Sequence, residues 1–207
     1  MAGVDSPEVQ PLRLAFDRVA AMLPKLSTDV PLLMTYCPFP TAFDFALYPP
    51  IGDALASRSA AAIKKVIKPG NSILHAHGAA QWFDDFAANS VDDPPTVVLG
   101  GCTLTSCIRV SALHLHSRYS DNSASQPKLN ICVDLNLCAA RASNYVRRCH
   151  SCLTRYLTFY GRSSQPCTCR SEVDLISPVD KAVSDMRDAG VRVFESFDWS
   201  NLCVTET

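Results

Sequence analysis

Two groups of side chains in this chain combine residue types and spacings that can do chemistry. The first is Cys149-His150-Ser151-Cys152, followed beyond residues 153–166 by Cys167-Thr168-Cys169. Two close cysteine pairs joined by a loop are zinc geometry: each pair clamps one edge of a tetrahedron and the loop closes it. The second pair is C-x-C, tighter than the usual C-x-x-C. Cys132 therefore stands as a replacement within the first pair, and His150 is a further donor. The expected ligand set is Cys132, Cys152, Cys167 and Cys169 around one Zn²⁺. Its role is expected to be structural, because no acid or base partner sits beside the cluster in sequence. The alternative is a set of small buried apolar thiols, which suits Cys102, Cys107, Cys138 and Cys203 better. The second group is His75-Ala76-His77, followed by the small run Gly78-Ala79-Ala80. Two histidines at this spacing cannot share a helical face, but they diverge at a helix start. There they serve either as an imidazole pair open to a ligand or as a cap.

A third stretch supplies the place for a ligand. Thr96-Val97-Val98-Leu99-Gly100-Gly101 is a short β-branched run that ends in two glycines, and Pro94-Pro95 breaks any helix arriving before it. A buried strand ending in Gly-Gly and leading into a helix opens a nucleotide-binding α/β layer, because glycine lets the backbone turn sharply and approach a ligand.

The chain must supply elements that hold these groups. Its 207 residues suit one domain, or a domain with an extension, and 47% hydrophobic content is enough for a substantial core. A net charge of −1 argues against a nucleic-acid glove working by bulk electrostatics. No apolar run is long enough to span a bilayer. Met1 to Ser6 lacks the basic flank and apolar core of a signal peptide, so the ten cysteines suggest reduced thiols and metal rather than a disulfide scaffold.

Ser6-Pro7-Glu8 is a helix start, after which Leu12, Phe16, Val19, Ala20 and Leu23 share a face. Val30 to Pro50 is Pro- and aromatic-rich and is expected to be irregular or to carry short edge strands. Ile51 to Ile67 is expected to be helical, with Lys64 and Lys65 as a solvated face and Pro69-Gly70 as the stop. Leu74 to Phe83 opens a helix with Trp82, Phe83 and Phe86 as its buried stripe. Thr103 to Tyr119 reads as a helix, Lys128 to Asn136 as a strand, and Ala139 to Phe159 as a helix. Val173 to Ser177 reads as a strand, Ser177 to Asp188 as a helix, and Val191 to Phe197 as a last strand. Strands alternating with helices imply right-handed crossovers and a mainly parallel sheet with flanking helices. The expected division is residues 1–60 as a helical or irregular extension and 61–207 as the α/β core, carrying a zinc loop at 149–169.

The order of these motifs resembles the alphavirus-like viral RNA-capping enzymes, the methyltransferase-guanylyltransferase domains of alphaviruses, hepatitis E virus and the tymovirus and potexvirus groups. His75-Ala76-His77-Gly78-Ala79-Ala80 is similar to the family's His-Pro-His-Ala-Ala motif. Val97-Val98-Leu99-Gly100-Gly101 stands where the family has its Asp-Ile-Gly-Gly strand. Asn130-Ile131-Cys132 resembles the next family strand, which supplies zinc ligands, and Cys169-Arg170 resembles the family's last zinc cysteine. Leu175 to Asp180, Met186 to Gly190 and Phe194 to Phe197 resemble the strand-helix-strand that follows it. Two departures stand out: Val98 occupies the family's acidic position, and the expected Asp-x-x-Arg is represented only by Asp134 and Arg141.

The resemblance implies a Rossmann-like methyltransferase fold and a definite chemistry. S-adenosylmethionine would lie against Gly100 and Gly101, with Asp134 on its ribose hydroxyls. GTP, accompanied by Mg²⁺, would be methylated. His77 would take the 7-methylguanylate covalently and pass it to an RNA 5′ end. The implied setting is the host cytoplasm at membrane-bound replication sites, with other viral replication proteins as partners. A different class of function fits the same residues: a non-enzymatic zinc-bearing viral module that binds RNA or protein, its loop flanked by Arg147, Arg148, Arg155, Arg162 and Arg170.

Overall fold

A computed structural model describes residues 6–36, 47–56, 58–88, 93–120, 127–158, 167 and 174–203. Its named strands all pair in parallel and alternate with helices, so the chain is α/β. The strands make two small sheets: one of two strands, β1 (Leu32–Tyr36) and β2 (Ile63–Ile67), and one of three, β3 (Thr96–Cys102), β4 (Asn130–Ala139) and β5 (Arg192–Phe194), in the order β3-β4-β5.

The three-stranded sheet follows from its sequence. β3 begins straight after the proline pair and runs through both glycines. β4 carries a nearly unbroken buried run, with Ile131, Cys132 and Val133 almost inaccessible. That is the signature of a strand covered on both faces. Thr96 to Leu99 pair in register with Asn130 to Val133, the register shifts between Leu99 and Gly101, and Gly101 and Cys102 then oppose Cys138 and Ala139. The extra residues of the shift lie on β4, where Asp134 to Leu137 stand against Gly100 alone, so β4 bulges opposite the glycines.

The helices are α1 (Gln10–Met22), α2 (Pro49–Ala56), α3 (Ala79–Ala88), α4 (Arg109–Tyr119), α5 (His150–Thr158) and α6 (Pro178–Asp188). A π-helical turn, Leu104–Ile108, links β3 to α4. The main core gathers Phe83 of α3, Ala112 and Leu115 of α4, Ile131 and Val133 of β4, and Met186 of α6. A second cluster joins Phe16 and Val19 of α1, Ile51 and Leu55 of α2, Met34 of β1 and Trp199. α1 also packs on β3 and β4. The chain before it is tied down because Glu8 accepts from the Ser143 backbone N–H at 3.2 Å and from the Ser143 hydroxyl.

Several elements differ from their sequence pattern. The helix expected over Ile51 to Ile67 ends at Ala56, and Ile63 to Ile67 is a strand. Ser59 caps a short 3-10 turn there, and β-branched Ile63, Val66 and Ile67 pair with β1 instead of continuing a helix. The helix expected from Ala139 is confined to His150–Thr158, because β4 extends to Ala139 and a 3-10 turn occupies Ala142–Tyr145. In place of the Val173 to Ser177 strand, Ile176 makes a single antiparallel bridge to Arg148, and Val173 lies outside the described residues. The last strand is short, Arg192–Phe194. α6 begins as its sequence implies. The Ser177 hydroxyl accepts from the Asp180 N–H at 3.0 Å and the Asp180 carboxylate accepts from the Ser177 N–H at 3.2 Å.

Candidate functional site

The glycine end of β3 borders a large crevice of about 920 Å³. Every residue of β1 and every residue of β3 lines it. Side chains of a strand alternate between faces, so a space met by each successive residue lies along the strand edge rather than over one face. β2 covers one edge of β1 and β4 covers one edge of β3, so the crevice runs between the two sheets. Its walls are mostly apolar, with Phe16, Met34, Trp82 and Phe86 among them. Trp82 and Phe86 stack with ring centroids 5.5 Å apart and planes 12° from parallel. Their neighbour Phe83 goes fully into the core, so one helix serves both core and crevice.

The two glycines do different work. A Cβ on Gly100 would stand 3.1 Å from the Leu137 Cβ, so its lack of a side chain allows close packing on β4. Gly101 has φ +115°, a conformation costly for residues with a Cβ, and the space where a side chain would project is open. The strand expected to stop at the glycines runs on, paired, to Cys102, so Gly101 is a positive-φ kink within β3 rather than a turn at its end, and it faces free volume.

Asp134 lies one strand away and is completely buried. One carboxylate oxygen accepts from the Asn136 N–H at 3.0 Å and the other from the Trp199 indole N–H at 2.8 Å. The carboxylate is engaged within the protein, anchoring the segment after β5 to β4, and presents no surface to a ribose.

His77 is exposed, in the turn between the 3-10 turn Ile73–His75 and α3. His75 diverges from it: its ring stands 6.0 Å from that of His114, whose Nδ1 lies 2.9 Å from the Ser72 hydroxyl. His75 thus faces α4 across the 3-10 turn; both histidines are exposed, and neither lines the crevice.

The Sγ atoms of Cys149, Cys152 and Cys167 all lie within 4.8 Å of one another. Sulfurs tetrahedrally bound to one zinc at about 2.3 Å stand about 3.8 Å apart, so a small inward shift completes three corners of a tetrahedron. Cys149 directly precedes α5 and Cys152 falls in its first turn, a spacing of three that puts both on one side of the helix. The three-thiol group therefore contains Cys149 where Cys132 was expected. Cys132 is fully buried in β4, opposite Val98 and Arg192 in the ladders. Cys169 lies outside the described residues.

Burial raises the Cys102 thiol from an ordinary 9.0 to about 12 and pushes Cys138 up as well, so these two are apolar, protonated thiols of the β3–β4 layer. The expected arginine patch divides. Arg148 is buried, Arg147 is exposed and 3.8 Å from Asp180, Arg155 is exposed, and Arg162 and Arg170 lie outside the described residues.

No protein-family model and no curated protein matches this chain. Among the described residues no helix is long and apolar enough to cross a membrane.

One residue that the sequence pattern leaves unmarked borders the crevice. Lys68 is 4% exposed, and its ammonium donates to the Gly70 carbonyl at 3.0 Å and the Asn71 carbonyl at 3.3 Å. A lysine before Pro69-Gly70 looks like an ordinary polar turn residue. Only the packing of β1, β2 and α4 around it reveals a buried charge.

Proposed function

We propose that this protein is a divergent capping domain of the alphavirus-like type, with a Rossmann-like core, whose crevice receives a nucleotide-class ligand against Gly100 and Gly101. The observation that carries this reading is the positive-φ Gly101, with no side chain, facing a crevice of about 920 Å³ near the C-terminal end of a parallel strand, where open α/β sheets bind nucleotides. S-adenosylmethionine would supply the methyl group. The crevice and the open face of Gly101 suit its body, whereas the buried Asp134 does not suit its ribose. Mg²⁺ would offset charge on the GTP triphosphate.

His77 is the proposed nucleophile. Its imidazole nitrogen attacks the α-phosphorus of 7-methylguanosine triphosphate, a P–N bond forms, and pyrophosphate leaves. A terminal phosphate oxygen of the RNA 5′ end then displaces the imidazole. An exposed imidazole at the mouth of a helix is accessible for both steps. Cys149, Cys152 and Cys167 would hold Zn²⁺ as thiolates, joining Cys167 to the start of α5, with Cys169 as the proposed fourth donor. The proposed setting is the host cytoplasm, among other viral replication proteins.

Incubation of the full chain with α-labelled GTP and S-adenosylmethionine, followed by a denaturing gel, tests the catalytic half. A covalent guanylate adduct that disappears in His77→Ala supports it. No adduct, or one that survives His77→Ala, overturns it. Metal analysis tests the other half, with about one zinc per chain expected and a lower melting temperature in chelator.

A second reading has specific observations in its favour. Asp134 is occupied by Trp199 and Asn136, and the thiol cluster stands apart from any described acid-base pair. These suit a zinc-bearing module that binds RNA or protein without catalysis. RNA binding with zinc present, no adduct and no affinity for the methyl donor would select it.

A further inference from the structure

We propose that Lys68 anchors the charged group of an organic anion whose apolar or aromatic body fills the crevice, the charge being one carboxylate or phosphate. An ammonium has three N–H donors, and two backbone carbonyls account for two of those of Lys68. Among the described residues no carboxylate pairs with it. Asp29, the acid bordering the crevice among the described residues, is exposed. A cation taken out of water with only neutral partners is poorly compensated, and an anion beside it supplies what is missing.

The surroundings place Lys68 on the crevice wall. The Asn71 carbonyl that accepts from Lys68 also accepts from the Ser111 hydroxyl at 3.1 Å, and the Asn71 side-chain oxygen accepts from the Cys107 thiol at 3.5 Å. Lys68, Ser111 and Cys107 are thus gathered around one residue, and all three border the crevice. Gly101 and Cys102 border the same space. Beyond them lie Phe16, Met34, Trp82 and Phe86. One buried cation on a long apolar-walled space is matched by a molecule with one anionic end and an apolar or aromatic remainder. A lysine serving only to tie the Gly70–Asn71 turn would have no preference for such a molecule.

Calorimetric titration of the full chain separates these roles. The probes are adenosine 5′-monophosphate against adenosine, for a phosphate on an aromatic body, and decanoate against decanol, for a carboxylate on an aliphatic one. In the wild type at least one anion is expected to bind about tenfold tighter than its neutral counterpart, as a charge-assisted hydrogen bond provides. Lys68→Met should bring the two within about twofold, and Lys68→Arg should keep the preference. Equal binding of anion and neutral compound in the wild type, binding of neither anion, or a preference that survives Lys68→Met would each overturn the proposal.

This site shares the crevice of the capping reading but stands on the bonding of Lys68. Anion preference without a guanylate adduct supports Lys68 and removes the capping chemistry. An adduct at His77 with no anion preference does the reverse.

Discussion

Arg148 and Lys68 are buried to nearly the same depth, 2% and 4% exposed, in opposite kinds of surroundings. Arg148 closes a corner. Its guanidinium donates to the Ser143 carbonyl at 3.1 Å and the Val146 carbonyl at 2.6 Å, and it lies 4.0 Å over the Tyr156 ring. Its backbone exchanges both hydrogen bonds with Ile176, at 3.0 and 2.9 Å. The connection after β4, the helix α5 and the start of α6 meet on this one residue. Lys68 has two carbonyls and an open crevice. The difference separates two uses of a buried charge. A cation enclosed by acceptors and a π-face is an internal brace. A cation left short of partners beside free volume is a place for something else to bind.

The largest expected effect lies at the brace. Arg148→Met should cost about 3 kcal/mol in urea unfolding at neutral pH, because the Ser143 and Val146 carbonyls lose their donor inside the fold. A loss below about 1 kcal/mol would erase the contrast with Lys68.

Next in size is an alkaline effect at the crevice end of β3. Burial holds the Cys102 thiol near 12 against an ordinary 9.0. Between those values the native state keeps a proton that the unfolded chain has lost, so stability is fully present below about pH 9 and falls as pH rises toward 12. Each buried thiol should contribute a slope on the order of 1 kcal/mol per pH unit, read from unfolding midpoints between pH 8 and 11. Because Cys138 is raised too, Cys102→Ala should lessen the slope and leave the Cys138 part. An unchanged slope in that variant would place the alkaline weakness elsewhere.

Ser177→Ala tests the closed corner from its other side. It removes the hydroxyl acceptor of the capping box that starts α6, next to the Arg148–Ile176 bridge. The expected loss is about 1 kcal/mol. If it adds fully to that of Arg148→Met, the cap and the brace are independent, and a shortfall in the double variant measures their coupling.

The smallest expected effect sharpens the comparison most. Lys68→Met should change stability by less than about 0.5 kcal/mol, or raise it, since replacing an under-compensated buried charge by an apolar side chain is often neutral or better. A loss as large as that of Arg148→Met would make Lys68 a second brace.

How far each of these features could be read in advance depends on how local its cause is. β3 was legible because two prolines, a β-branched run and two glycines are punctuation within one short stretch. α6 was legible for the same reason, in Ser177-Pro178-Val179-Asp180. The zinc-type cluster was half legible. Spacing put Cys152 and Cys167 in it, but the choice of Cys149 over Cys132 depended on where α5 begins. β2 misled because Ala-rich sequence before it extends a helical pattern, and only the pairing with β1 decides otherwise. Asp134 was placed correctly on a strand, yet its partner Trp199 is sixty-five residues away and no local pattern points to it.

The sequence by itself determined the strands β3 and β4 with the helix α4 between them, the glycines that kink β3, the cap of α6 and the presence of a thiol group near α5. These rest on backbone preferences and on spacings within a turn or two, which neighbouring residues control. Only the tertiary structure decided that the strands form two sheets with a crevice between them, that Asp134 is spent on Trp199, that Arg148 is enclosed and that Lys68 is not. Those outcomes depend on which distant groups share a buried volume. The cost of burying a charge or a carboxylate is set by the partners it finds there, and packing alone assigns them.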